Sequence, residues 1–142
     1  MAQINPYLTF NGNCEDAFSF YKSVFGTEFR ECMRFKDMGQ AEGLTDEEAN
    51  RIMHVSMPIS KETILMGSDS LPKYGDVAVG QNLSLSVNTF SKEEADKIFN
   101  RLAVGGNVTM PMENTFWGAY FGMLVDKYQI TWMVNFDVEK PE

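Results

Sequence analysis

One histidine, His54, occurs in this chain of 142 residues. It falls within residues 51–59, where Met53, Val55 and Met57 alternate with Ile52, His54 and Ser56. Alternation with period two describes a strand with two unlike faces. The methionine–valine side suits a core, which leaves the imidazole beside Ser56 on the other side. Imidazole changes charge near neutral pH, so His54 is a candidate general base and a candidate hydrogen-bonding group. No second acid–base group is clearly inward beside it, so a complete catalytic pair is not in view.

A second set of candidates lies in residues 82–88, where Leu83, Leu85 and Val87 alternate with Asn82, Ser84, Ser86 and Asn88. A solvated strand face usually carries longer or charged side chains. This row of short, uncharged hydrogen-bonding groups fits the wall of a concavity, with Asn82 and Ser84 as ligand contacts. In residues 130–136, Ile130, Trp132, Val134 and Phe136 form the apolar set and leave Thr131, Met133 and Asn135 facing the other way. In the first strand, Leu8 and Phe10 oppose Tyr7 and Thr9. Trp117, in a segment before a strand, can stack on a planar or apolar ligand. Met112 and Met133 are flexible thioethers suited to an adaptable pocket.

The elements that position these residues repeat. Asn13 is placed to cap a helix whose first turn holds Glu15 and Asp16, where the helix dipole favours negative charge. Ala17, Phe20, Tyr21 and Val24 form its apolar stripe, and Gly26 ends it. Strands follow at residues 27–35, 51–59 and 62–66, with Thr45-Asp46-Glu47-Glu48 starting one short helical turn. After the strand at 82–88, Ser91-Lys92-Glu93-Glu94 is a second capping box; Ala95, Ile98, Phe99 and Leu102 repeat the stripe, and Gly105-Gly106 stops it. Strands then follow at 107–112, 119–125 and 130–136, and residues 137–142 form a loose tail. A shift of 78 residues superposes Ala17 on Ala95 and Tyr21 on Phe99. The pattern is a duplicated strand–helix–three-strand module of α+β class, with module one at about 1–67, a linker at 68–80 and module two at about 81–137. One helix covers one face of each sheet, so the other face is free to line a cavity.

Composition bounds the chemistry. At 44% hydrophobic and 13% aromatic, the chain can bury a core. Twelve basic against 20 acidic residues, a formal charge of -8, argue against a nucleic-acid partner. Cys14 and Cys32 are expected as free thiols in a reducing cytoplasm. No apolar run reaches membrane-spanning length and no targeting segment is visible, so a soluble, cytoplasmic domain is expected. There is no nucleophile elbow, zinc-type cysteine pair or nucleotide fingerprint, and Gly105-Gly106 closes a helix rather than opening one.

Several motifs together carry a family resemblance. They are Pro6-Tyr7-Leu8-Thr9-Phe10-Asn11-Gly12, the helix with Ala17, Phe20-Tyr21 and Val24-Phe25-Gly26, Ile52-Met53-His54, Val108-Thr109-Met110-Pro111, Thr115-Phe116-Trp117-Gly118, and Val125-Asp126-Lys127-Tyr128 with Trp132-Met133. They resemble the PhnB-like family, some of whose members are described as 3-demethylubiquinone 3-methyltransferase-like. That family belongs to the vicinal-oxygen-chelate superfamily with glyoxalase I, bleomycin-resistance proteins and extradiol dioxygenases. The resemblance implies paired βαβββ modules in an eight-stranded open barrel or U-shaped mixed sheet, helices on its outer face, in a homodimer. A ferredoxin-like α+β barrel is the alternative fold.

Superfamily enzymes hold a divalent metal at four inward positions. Carried over, these fall at Pro6 or Tyr7 (strand parity favours Tyr7), near His54, at Asn82 and near Met133. Only His54 is a good ligand for a first-row metal; asparagine is a weak donor and methionine a soft one. The resemblance therefore implies the fold with neither metal nor cofactor. The expectation is a small-molecule-binding protein whose ligand contacts are Tyr7, His54, Asn82, Ser84, Trp117 and Met133, with no nucleic-acid or membrane partner. The alternatives are a metal-dependent lyase, isomerase or dioxygenase of the glyoxalase type, and a structural or interaction protein whose cavity is filled.

Overall fold

The computed structural model describes residues 2–138, and its chain divides into two units, Met1–Ala78 and Val79–Glu142. The far end of the tail, residues 139–142, lies outside the described residues.

In the first unit, β1 (Tyr7–Phe10), α1 (Cys14–Phe25), β2 (Glu31–Arg34), the single-turn α2 (Asp46–Ala49), β3 (Ile52–Pro58) and β4 (Ile64–Asp69) follow in order. The strands form one mixed sheet in the order β1-β4-β3-β2, parallel between β1 and β4 and antiparallel elsewhere. Helix α1 buries Cys14, Ala17, Phe18, Tyr21 and Val24. Phe18 takes a place in the stripe that periodicity had given to Phe20, which is half-buried. Gly67 is required by this packing: a Cβ there would lie 2.6 Å from Phe18 Cε1 and 2.9 Å from the Leu8 carbonyl oxygen. Position 67 thus faces α1, as do buried Leu65, Leu8 and Phe10. Tyr7, Thr9, Met66 and Ser68 turn to the opposite face by alternation.

Two features differ from expectation. Ile52 is 1% exposed and belongs to the core rather than sharing the face of His54. The cause is a β-bulge: Met33 pairs with His54 but Arg34 pairs with Ile52, so Met53 is an extra residue and parity flips across it. Met53, expected in the core, is only half-buried. The helix cap also differs, since the Asn13 side chain makes no capping bond. Instead Asp69, at the end of a strand that runs three residues past its expected end, accepts from the backbone N–H of Gly12 at 3.0 Å and Cys14 at 2.9 Å.

The second unit repeats the plan with β5 (Leu85–Asn88), α3 (Lys92–Leu102), β6 (Asn107–Asn114), β7 (Ala119–Val125) and β8 (Thr131–Asp137), ordered β5-β8-β7-β6. Ser91 caps α3 by accepting from Glu94 N–H, while the Glu94 carboxylate takes the N–H of Phe90, one residue before the cap. Phe99 packs where Gly122 leaves room, so even positions of β7 face α3. Their partners Trp132 and Val134 are buried, as parity requires. Met112 sits against Gly122 on this α3 side rather than lining a pocket. Each unit is an α+β module with a four-stranded mixed sheet that is not closed.

Candidate functional site

The face of the first sheet turned away from α1 brings Tyr7 and His54 together. The Tyr7 hydroxyl stands 3.2 Å from His54 Nδ1, and the two rings stack with centroids 5.7 Å apart. With the phenol donating to Nδ1, the ring proton sits on Nε2. That nitrogen faces Glu31 Oε2 at 3.8 Å. Strand β2 supplies Glu31 two residues from Met33, the cross-strand partner of His54. Phenol, imidazole and carboxylate therefore form a row across β1, β3 and β2, with Met33 and Met66 beside it.

The row corrects the view of His54 as lacking an acid–base neighbour. The sequence of residues 27–35 does not by itself set the parity that places Glu31 beside His54. Pairing of Met33 with His54 is the signal that sets it. Such a row can accept and donate to one polar ligand group at once.

The remaining candidates belong to the second unit. Met133 lies in β8 beside Ser86 of β5 and Met123 of β7, on the face turned away from α3. Trp117, in the turn before β7, is 58% exposed and packs edge-on against Phe121, which pairs with Asn135 on that same face. Asn135 donates to Asn88 Oδ1 at 3.2 Å. Asn82 and Ser84 do not join them: β5 starts at Leu85, and Leu83, expected in the core, is 75% exposed. The alternation continues past the point where a partner strand exists. Residues 82–83 would need a ladder with Gln129 and Ile130, which lie in a turn. Gln129 there has φ 71°, and the N–H of Ile130 is taken by the Asp126 carboxylate.

On the α1 side of the first sheet lies a cleft of about 200 Å³ that holds none of these candidates. Its charged groups satisfy one another. Arg34 binds Glu15 and the Asn50 carbonyl, and Arg51 binds Glu47 and the Ser70 carbonyl. Each guanidinium holds its partner glutamate below the usual carboxylate range. Asp69 lines the cleft while accepting from Gly12, Cys14 and Ile52; burial pushes its carboxyl up and those N–H donors pull it back. The cleft is the joint at which α1, α2, β3 and β4 meet.

The superfamily's metal does not fit the residues present. Among the described residues no three of His, Cys, Asp and Glu come together. His54 Nδ1 is engaged by Tyr7, so the row presents one imidazole nitrogen and one carboxylate. Asn82 lies outside any strand, and Met133 offers a thioether. A catalytic first-row divalent ion takes three protein donors of harder type.

Known proteins support this architecture. The family described as 3-demethylubiquinone-9 3-methyltransferase matches residues 2–135. The chain is 40% identical to the crystal structure of protein PA1353 from Pseudomonas aeruginosa, with TM-score 0.84, covering 96% of this chain and 98% of that one. It is 26% identical to a Bacillus cereus structure described as a putative 3-demethylubiquinone-9 3-methyltransferase, PhnB protein, with TM-score 0.75 and coverages of 95% and 99%. A glyoxalase/bleomycin resistance protein/dioxygenase family enzyme from Burkholderia phytofirmans PsJN is 13% identical with TM-score 0.63, covering 94% of this chain and 96% of that one; this likeness speaks to fold alone. The duplicated βαβββ plan and the match along nearly the whole chain agree: the chain belongs to the PhnB-like, 3-demethylubiquinone-9 3-methyltransferase family, and it shares its fold with glyoxalase/bleomycin resistance protein/dioxygenase structures.

Proposed function

We propose that the protein binds a small organic molecule on the face of the first sheet turned away from α1, without the superfamily's metal. The row Tyr7–His54–Glu31 carries the reading. Three functional groups from three strands converge there, and their partners are one another rather than the core. A ligand group that both donates and accepts can pair with Glu31 and the imidazole, while the Tyr7 ring and the neighbouring thioethers give apolar contact. Trp117 and Met133 supply a second, more apolar contact set on the face of the second sheet.

The test is a thermal-shift and nuclear magnetic resonance screen against metabolite classes and divalent metals, since a bound ligand raises apparent stability by mass action. Hits should move the resonances of Tyr7 and His54, and His54→Ala should weaken them at least tenfold with the fold intact. Unchanged affinity in both His54→Ala and Trp117→Ala would refute the reading. A stoichiometric metal in protein purified without chelator, lost in His54→Ala, would replace it with the metal-dependent enzyme.

Among the described residues no helix is long and apolar enough to cross a membrane. Both cysteines are free, Cys14 buried and Cys32 exposed, which suits a cytoplasmic protein. A homodimer is part of the proposal, and light scattering on the purified chain tests it: a monomer at micromolar concentration removes that part alone.

A further inference from the structure

Among the described residues, two buried side-chain oxygens have no hydrogen-bond partner, Thr27 Oγ1 and Ser56 Oγ. Thr27 lies in the connection from α1 to β2. Ser56 lies two residues along β3 from His54, in unbroken register, so both share the face turned away from α1. Its cross-strand partners are Glu31 on one side and Met66 on the other, and Met66 in turn pairs with Tyr7. One rung of the sheet therefore runs Tyr7, Met66, Ser56, Glu31.

An unsatisfied hydroxyl at 5% exposure is an unfavourable choice for a strand interior. The Ser56 carbonyl is already used, accepting from Arg30 N–H at 2.8 Å. The side chain is the part left without a purpose inside the protein. Its neighbours in the rung, Met66 and Glu31, are long and unbranched, half-buried and exposed respectively. For a ligand to reach the hydroxyl, one of these flexible neighbours has to swing aside.

We propose that Ser56 is a ligand contact of this face, its hydroxyl left unpaired in the free protein and paired by a polar atom of the bound molecule. This rests on the small-molecule reading above and sharpens it. Two residues of strand separate Ser56 from His54 by about 7 Å. A ligand that engages both has polar groups at opposite ends of something the size of one six-membered ring. Glu31 is rooted opposite Ser56, but its carboxylate leans to 3.8 Å from His54 Nε2, and the whole chain carries a formal charge of -8, so the ligand end at His54 is a donor or a cation rather than an anion. The flat body packs on the Tyr7 ring and between thioethers. The class is a small planar aromatic with a donor-bearing head and a hydroxyl or carbonyl tail.

The experiment titrates the full-length protein with 4-hydroxybenzamidine, benzamidine and benzoate, read by resonance shifts and calorimetry. The first should bind best, benzamidine about five- to tenfold more weakly for want of the tail contact, and benzoate weakest. Ser56→Ala should bring 4-hydroxybenzamidine down to the affinity of benzamidine and leave benzamidine unchanged, while its melting temperature rises because an orphaned hydroxyl is gone. A packing role alone would not produce that split between two probes. If Ser56→Ala leaves both affinities unchanged while His54→Ala weakens both, the Ser56 contact is wrong and the binding reading stands. If neither substitution matters, the reading itself fails. Absence of saturable binding by either amidine, or preference for benzoate, overturns the ligand class.

Discussion

Asp69→Ala should destabilise the first unit about as much as truncating a core side chain, although the carboxylate touches no candidate ligand group. Its two oxygens accept from Gly12 N–H at 3.0 Å, Cys14 N–H at 2.9 Å and Ile52 N–H at 3.0 Å. These bonds tie the end of β4 to the start of α1 and the start of β3. Gly12 is exposed and can turn to water after truncation. Cys14 and Ile52 are buried and cannot. A buried donor left unsatisfied costs about 1–3 kcal/mol, giving about 2–6 kcal/mol for the pair. Removing the desolvated carboxyl returns part of that, so a net loss of about 2–4 kcal/mol is expected. With a urea slope of about 2 kcal/mol per molar, the unfolding midpoint should fall by about 1–2 M. Asp69→Asn keeps one acceptor oxygen and should lie between. Burial raises the Asp69 pKa in the folded state, so its protonation favours folding. That contribution is present below about pH 4 and is lost as pH rises through the raised folded value; Asp69→Asn should lack this part of the pH profile. A midpoint for Asp69→Ala within about 0.2 M of the parent would refute the joint.

Three further outcomes follow from packing and charge. Gly67→Ala places a Cβ against Phe18 and the Leu8 carbonyl, and should cost about 1–3 kcal/mol in urea unfolding; adding Phe18→Leu should recover part of it, whereas no recovery would fault the helix–sheet contact. The Arg34–Glu15 bridge is partly exposed, so a double-mutant cycle of Arg34→Met and Glu15→Gln should give about 0.5 kcal/mol at pH 7. Because Arg34 lowers the Glu15 pKa, that coupling is present above about pH 4.5 and is lost as pH falls through the depressed folded value; coupling that persists at pH 2 would contradict it. Trp117→Ala should change unfolding stability by less than about 1 kcal/mol, since the ring is more than half exposed, while weakening binding of planar ligands; a cooperative loss of fold would mark it as core instead.

The sequence disclosed the modules because two signals agreed, the apolar stripes at Ala17–Val24 and Ala95–Leu102 and the alternation in the strands. Where only alternation spoke, outcomes divided. Residues 130–136 kept their parity since β8 lies between two paired strands that hold its register. Ile52 lost it because a bulge at Met53 is a property of the β2–β3 pair and leaves no mark in β3 alone. Asn82 alternates properly yet lies outside the strand, because its place in the ladder falls opposite Gln129 in a turn, and Ser84 lies one residue before β5 begins. Glu31 became visible only through its neighbour across the ladder, and Asp69 only through donors 17 or more residues away. Local pattern thus gave the elements, while the polar contacts that define the site required pairing.

The acids of this protein divide by what accepts or supplies their hydrogen bonds. Asp69 and Asp126 are both buried and both take backbone N–H groups of their own unit. Asp126 closes the turn between β7 and β8 and also accepts from Trp132 Nε1 at 2.8 Å, which fixes the indole in the core. Such carboxylates hold the fold, and their removal leaves orphaned donors. Glu31 is exposed, and its partner among the described residues is an imidazole beyond hydrogen-bond range. Nothing in the fold needs that charge, while its position opposite Ser56 and diagonal to His54 gives it a use toward a ligand. A crossover is therefore expected: Glu31→Gln and His54→Ala should alter ligand affinity with stability within about 1 kcal/mol of the parent, and Asp69→Asn and Asp126→Asn the reverse. If Glu31→Gln destabilised the fold as much as Asp69→Asn, the row on the first sheet would be part of the core and would have no claim to be a site.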